Sequence, residues 1–183
     1  MQLNELIAGL DVAVMHGEST VDVVGIADDS RRVRPGFAYV VRHAAGATQD
    51  ELGGDNGAYV DAAIAAAVID TRAATTARGL GVQSLAGELA ARFFGRPAEA
   101  LRVVGVTGTN GKTTVATLTQ HLLNATGVRC GLIGTIHTDL GDPAGPAEAE
   151  LTTPGGIGLQ AMLAEMRDHG LQAAAIEVSS HAI

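Results

Sequence analysis

The sequence predicts an α/β fold with a parallel sheet in its second half, and three observations carry that prediction. Short, largely apolar runs (Leu101 to Val106, Cys130 to Ile133, Ala173 to Val178) alternate with segments of helical periodicity. Strands without polar alternation are buried on both faces, which is the situation of a parallel strand covered by helices. A turn rich in Gly and Thr joins the first of these runs to the helix that follows it.

The first half reads as a small α/β domain. Leu3, Leu6, Ile7 and Leu10 have helical spacing and predict a short amphipathic helix. Val23 to Ala27 predicts a strand, followed by the polar stretch Asp28 to Arg32. Pro35-Gly36 is a turn signal, with an apolar strand from Phe37 to Val41 after it. Arg42 to Gly57 reads as loop, Ala58 to Ala67 as a helix, and Val68-Ile69 as a short strand. Ser84 is the expected cap of a helix from Leu85 to Phe94, closed by Gly95 with Pro97 beyond. Gly95-Arg96-Pro97 is therefore the expected boundary, giving domains at 1–98 and 99–183.

In the second half, Val115, Leu118, Leu122 and Ala125 predict an amphipathic helix stopped by Gly127. Thr135 to Thr153 reads as a long loop. Leu159, Met162, Leu163 and Met166 predict a second amphipathic helix, closed by Gly170. Residues 101–183 thus supply about three strands and two helices, fewer than a typical domain of ~100–150 residues contains. The last strand has no helix after it, so the expectation is that further protein, in cis or from a partner, completes the sheet.

Composition excludes several classes of function. The chain has 183 residues, 46% of them hydrophobic and 17% charged, which is enough apolar side chain for a core and not the make-up of a disordered tail. A net charge of -8 repels polyphosphate, which argues against general nucleic-acid or anionic-membrane binding. The longest apolar run, Ala62 to Ile69 between Asp61 and Asp70, falls short of the ~20 residues needed to span a bilayer. No basic start precedes an apolar stretch, so no signal peptide is expected. The single cysteine, Cys130, cannot form an internal disulfide, sits in a predicted strand as a small core residue, and fits a reducing compartment. His16, His43, His121, His137 and His169 lack the paired spacing of a zinc site. Arg31, Arg32 and Arg34 read first as a solvated face and second as a phosphate contact.

The sharpest local signal is Gly105-Val106-Thr107-Gly108-Thr109-Asn110-Gly111-Lys112-Thr113-Thr114, set between a predicted strand and a predicted helix. Glycines allow backbone N–H groups to approach phosphate oxygens, and a helix start aims its positive dipole end at the same anion. Eleven arginines and one lysine supply all the basic side chains, and that lysine is Lys112. A slim ammonium there can reach the β and γ phosphates, while the Thr113 hydroxyl can ligate Mg²⁺. The strict phosphate-loop pattern asks for Gly at position 106, where this chain has Val106. Glu177 ends an apolar run; alone it reads as a solvated strand-end acid, and beside the loop as a second Mg²⁺ ligand.

Four ordered motifs resemble the Mur ligase family, with order and spacing most similar to its MurE type. They are Thr107 to Thr114, Gly134-Thr135-Ile136, Thr152-Thr153-Pro154, and Glu177-Val178-Ser179-Ser180-His181-Ala182. Asp29-Ser30-Arg31 with Pro35-Gly36 resembles the uridine-side motif of that family's N-terminal domain. The resemblance implies an N-terminal UDP-substrate domain over 1–98 and the first part of a central ATP-binding domain over 99–183. It implies a cytoplasmic, ATP-dependent amide ligase of peptidoglycan synthesis, using Mg²⁺, with a UDP-N-acetylmuramoyl-peptide and an amino acid as substrates. It places ATP on Gly108, Thr109, Asn110, Gly111, Lys112, Thr113 and Thr114. Thr113, Glu177 and His181 would serve the metal, and Lys112, Glu177 and His181 the chemistry. Ser30, Thr152, Thr153 and Ser179 would touch the UDP-peptide. The family's adenine contacts, carboxylated lysine and amino-acid-selecting motif are expected beyond residue 183, leaving this piece inactive alone. A non-catalytic nucleotide-binding module that needs a partner lobe is the alternative. A folylpolyglutamate- or cyanophycin-type ligase is the third reading, and the Asp29-Ser30-Arg31 segment argues against the folate type.

Overall fold

The computed structural model describes residues 1–10, 12–41, 66–70, 82–149 and 151–179. The expected loop Arg42 to Gly57, nearly all of the expected helix Ala58 to Ala67, and His181 lie outside them. The chain divides into two compact units, Met1–Phe93 and Phe94–Ile183.

In the first unit, helix α1 spans Leu3–Ile7 and buries Leu3 and Leu6. Strands β1 (Ala13–His16), β2 (Gly25–Ala27), β3 (Phe37–Val41) and β4 (Ala67–Asp70) form a sheet in the order β1-β4-β3-β2. β2, β3 and β4 run parallel, and β1 pairs antiparallel to β4 at one edge. The parallel strands supply the core residues Ala27, Tyr39, Val41 and Val68, with Val33 and Phe37 packed against them. β1 is absent from the sequence prediction because all four of its residues are exposed, so it carries no burial pattern. Ala67 was expected to end a helix and instead opens β4.

Helix α2 spans Val82–Phe93, so it begins two residues before Ser84, which lies inside the helix rather than capping it. Arg92, near its end, donates to the carbonyls of Leu6 (3.2 Å) and Ala8 (2.6 Å), and to Glu88 Oε1 at 2.9 Å. These bonds supply partners for carbonyls at the C-terminal end of α1, which such a short helix cannot satisfy itself.

The second unit opens with a turn through Gly95 (φ 71°) and Arg96 (φ 51°) into a short helix, α3 (Pro97–Ala100). Pro97 takes the first helical position, where a missing N–H costs nothing. Then come β5 (Arg102–Val106), α4 (Lys112–Ala125), β6 (Cys130–Ile133), β7 (His137–Asp139), β8 (Ala147–Glu148), α5 (Gly156–Asp168) and β9 (Ala173–Glu177). The sheet order is β5-β9-β6-β7-β8. β9 is parallel to both β5 and β6, whereas β7 and β8 continue the sheet antiparallel. The expected long loop Thr135 to Thr153 therefore contains two short strands, too brief for any periodicity to register.

Two expectations about exposed surface are corrected. The last strand, expected at an uncovered position, lies inside the sheet with all five residues buried; among the described residues the edge strands are β8 and, on the opposite side, β5. There Val103 and Val104 remain 43% and 37% exposed. The apolar stripe of α4 also faces outward, with Val115, Leu118 and Leu122 at least half exposed. α4 packs through its small face instead: Ala116 is fully buried against Cys130, Leu132, Ala173 and Ala175. Alanines on both surfaces let the helix sit close to the strands. The other face of the sheet is covered as expected by α5, through Leu163 and Met166, with Leu159 and Met162 half-buried beside them.

Burial sets a contrast that unfolding can read. Met166→Ala, at a fully buried position, is expected to destabilise the second unit by about 2–5 kcal/mol. Leu118→Ser, on the exposed stripe, is expected to change stability by less than about 0.5 kcal/mol. Urea unfolding followed by circular dichroism measures both, and similar losses in the two variants would contradict the assigned core.

Candidate functional site

Parallel strands that end at one level bring their following loops together. The register pairs Val106 with Glu177, and Ile133 with Ile176. The turn after β5, the turn after β6 and the end of β9 therefore meet at the carboxyl edge of the sheet, where open α/β folds bind ligands.

The turn after β5 is the phosphate-loop segment. Gly108 (φ 143°) and Gly111 (φ 79°) adopt backbone conformations that side-chain-bearing residues rarely reach. Gly111 is the N-cap of α4 and no side chain caps the helix; the first intrahelical bond runs from the Val115 amide to the Gly111 carbonyl. The amides of Lys112, Thr113 and Thr114 precede that bond and have no carbonyl four residues back within the helix. The Lys112 ammonium folds over the loop and donates to the Gly108 carbonyl at 2.9 Å. Thr107 to Gly111 are exposed, so the turn is open to an anion.

Glu177 closes the arrangement from the neighbouring strand. Its side chain is buried, with 1% of the residue exposed. The Thr113 hydroxyl donates to Oε2 at 2.9 Å. The Thr135 amide donates to Oε1 at 2.9 Å, and the Thr135 hydroxyl to Oε2 at 3.1 Å. Gly134 is buried beside the same carboxylate, and a Cβ there would stand 2.7 Å from Oε1. A hydroxyl that donates to a carboxylate keeps lone pairs for a cation, so Thr113 and Glu177 form an all-oxygen pair of the kind that suits Mg²⁺. Among the described residues no cluster of three or more His, Cys, Asp or Glu is present, and this pair draws on a hydroxyl.

The Thr152-Thr153 segment, which leads into α5, docks at the same place. The Thr153 hydroxyl donates to the Glu177 carbonyl at 2.7 Å and accepts the Ser179 amide at 3.0 Å. Its proton is thereby committed to the backbone. Thr152 is half-buried, with its hydroxyl 3.3 Å from that of Thr135. Lys112, Thr113, Thr152, Thr153, Glu177 and Ser179 are thus gathered at one edge of one sheet. Thr135 belongs there too, though it had no role assigned from sequence; its presence in Gly134-Thr135-Ile136 was the available signal. His121 lies exposed on α4, and His169 sits away from the turn with Nδ1 2.9 Å from the Leu140 carbonyl.

Ser30 lies in the first unit, in a 3₁₀ turn over Ser30–Arg32 that follows β2. Asp29 organises this turn. Its carboxylate accepts the Arg31 amide at 3.0 Å and the Arg31 guanidinium at 3.0 and 2.7 Å. That hydrogen-bonded guanidinium lowers the Asp29 carboxyl from its ordinary 3.8 to about 2.

These features define the class: an α/β protein with a glycine-rich turn and a helix start at the carboxyl edge of its parallel strands. Comparison with known proteins narrows it. Residues 106–183 match the Mur ligase middle domain. The whole chain aligns at 38% identity with the UDP-N-acetylmuramoyl-L-alanyl-D-glutamate–2,6-diaminopimelate ligase of Ectopseudomonas mendocina, covering 37% of that protein. The ligase of the same name from Streptomyces coelicolor aligns at 39% identity over 99% of this chain and 36% of its own length. A solved ligase of that name superposes with a TM-score of 0.70 at 24% identity, over 99% of this chain and 36% of that one, which supports the fold. The chain belongs to the Mur ligase family, and it spans little more than a third of the length of these relatives.

The Asp29 geometry generates a titration prediction. The folded carboxyl is depressed, so its contribution to stability is present above about 3.8 and disappears as pH falls towards about 2. Carbon-13 NMR of the Asp29 carboxyl is expected to show a midpoint near 2, moving back towards 3.8 in Arg31→Gln. A midpoint insensitive to that substitution would contradict the assigned cause.

Proposed function

We propose that this chain forms the UDP-substrate unit and the ATP-phosphate edge of a peptidoglycan-building amide ligase. The observation that carries this reading is the 2.9 Å contact between Thr113, at the start of the phosphate-loop helix, and Glu177 at the end of β9. In the proposed reaction a carboxylate oxygen of a UDP-N-acetylmuramoyl-peptide attacks the γ phosphorus of ATP, and ADP leaves. The amine of an incoming amino acid then attacks the acyl phosphate, losing a proton and expelling inorganic phosphate. The relatives' names point to 2,6-diaminopimelate as that amino acid.

Each residue has a physical task in this scheme. The amides of Gly111 to Thr114 and the helix dipole hold phosphate oxygens, which explains how an acidic chain binds a polyanion. Lys112 exchanges the Gly108 carbonyl for a β or γ phosphate oxygen, a stronger, charge-assisted partner. Bound Mg²⁺ would neutralise charge developing on the transferred phosphoryl group, and Thr113 and Glu177 are the residues here that would hold it. His181 is assigned to the same metal by its motif alone. Thr152 and Ser179 offer polar groups to the peptidyl substrate, and Ser30, fixed by the Asp29–Arg31 turn, offers one to the uridine end. Thr153 supports them by tying the end of β9 to the loop before α5.

Completion of the reaction needs the part of the relatives that this chain does not span. The open β5 edge, with Val103 and Val104 exposed, supports a sheet that extends further. It also supports the alternative of a binding module that acts only with a partner lobe.

Removal of the lysine tests the phosphate site. Charge-assisted hydrogen bonds contribute about 1.5–3 kcal/mol, so Lys112→Ala is expected to weaken binding of a fluorescent ATP analogue roughly 10- to 100-fold. Equal affinity in the variant and the natural chain, titrated with Mg²⁺ present, would remove Lys112 from the phosphate site.

A further inference from the structure

We propose that Thr135 is a positioning residue that anchors the Glu177 carboxylate while Thr113 exchanges partners. The inference rests on the phosphate-loop reading above and concerns the regulation of the same site. A carboxylate as buried as Glu177 must be given hydrogen bonds, or its burial is costly. Three are present, and two of them come from Thr135, one from its amide and one from its hydroxyl.

The three donors are not equivalent. The Thr113 bond comes from the helix that would receive the nucleotide, so the approach of phosphate and cation competes for that hydroxyl. The Thr135 bonds come from the turn after β6, a separate element from the turn that would receive the nucleotide, and nothing in nucleotide binding asks them to break. Gly134 leaves room for the arrangement, because a side chain there would displace Oε1. The Thr135 hydroxyl has one proton to give. The carboxylate at 3.1 Å is the stronger acceptor than the Thr152 oxygen at 3.3 Å. Thr152 is then the donor to Thr135, and a hydrogen-bonded chain links Thr152, Thr135, the Glu177 carboxylate that accepts from both sides, and Thr113. Through it, the loop that leads into α5 supports the acid at the phosphate turn. Thr135 touches neither phosphate nor substrate in this scheme; it acts through Glu177.

The test compares affinity for a fluorescent ATP analogue with and without Mg²⁺, and uses the ratio of the two. Thr135 is exposed, so its substitution leaves the core intact. Thr135→Val, which loses the hydroxyl and keeps the shape, is expected to lower the Mg²⁺-dependent gain in affinity about tenfold. Thr135→Ser, which restores the hydroxyl, is expected to recover that gain to within about twofold. A merely structural role would change both affinities together and leave the ratio unmoved. A ratio in Thr135→Val equal to that of the natural chain, with Lys112→Ala still weakening binding, overturns the positioning role alone. Absence of nucleotide binding in the natural chain, or no effect of Lys112→Ala, overturns the phosphate-site reading beneath it.

Discussion

A buried carboxylate surrounded by hydroxyl and amide donors is the constraint on which the rest of the second unit depends. Glu177 sits at the end of a strand with both neighbours parallel to it, so its oxygens meet the turns that leave those neighbours. That geometry fixes what the turns must provide. One provides a helix start whose first hydroxyl reaches across, and the other a glycine followed by a threonine. The loop before α5 is drawn in by the same strand end, through the Glu177 carbonyl and the Ser179 amide. The motifs lie far apart in the sequence and converge because the strands carrying them are parallel and in register.

Much of this was legible in the residues. The apolar runs at 101–106, 130–133 and 173–178 marked the three parallel strands, and the glycines with Lys112 marked the turn between β5 and α4. What sequence could not supply was the order of the strands. Nothing local says that β9, last in the chain, slides between β5 and β6. Strand order arises from long-range pairing, and only that pairing places Glu177 against Thr113 and Thr135. The role of Thr135 within Gly134-Thr135-Ile136 is therefore invisible until that pairing is known. Short strands such as β1, β7 and β8 escaped for another reason. They are brief, and β1 and β8 are exposed, so hydrophobic alternation has nothing to act on.

The α4 helix shows how periodicity can indicate the helix and still misstate its buried face. Val115, Leu118 and Leu122 are the larger apolar residues and dominate any pattern, yet they point outward. The face that meets the sheet carries Ala116 and Gln120, and the Gln120 amide donates to the Cys130 carbonyl and to Asp139. Close packing of alanine on alanine brings the helix start near the strand ends. Larger side chains on that face would lift Thr113 away from Glu177. Val115, Leu118 and Leu122 thus leave an apolar stripe exposed on α4, and Val103 and Val104 leave apolar surface on β5.

The most direct measurement is an experimental structure of the chain with ADP and Mg²⁺ bound. The β phosphate is expected against the amides of residues 111–114, with the Lys112 ammonium moved from the Gly108 carbonyl onto it, the cation between Thr113 and Glu177, and both Thr135 bonds to Glu177 intact. A nucleotide bound elsewhere, or a Glu177 carboxylate released from Thr135 and turned away from the cation, would contradict this arrangement.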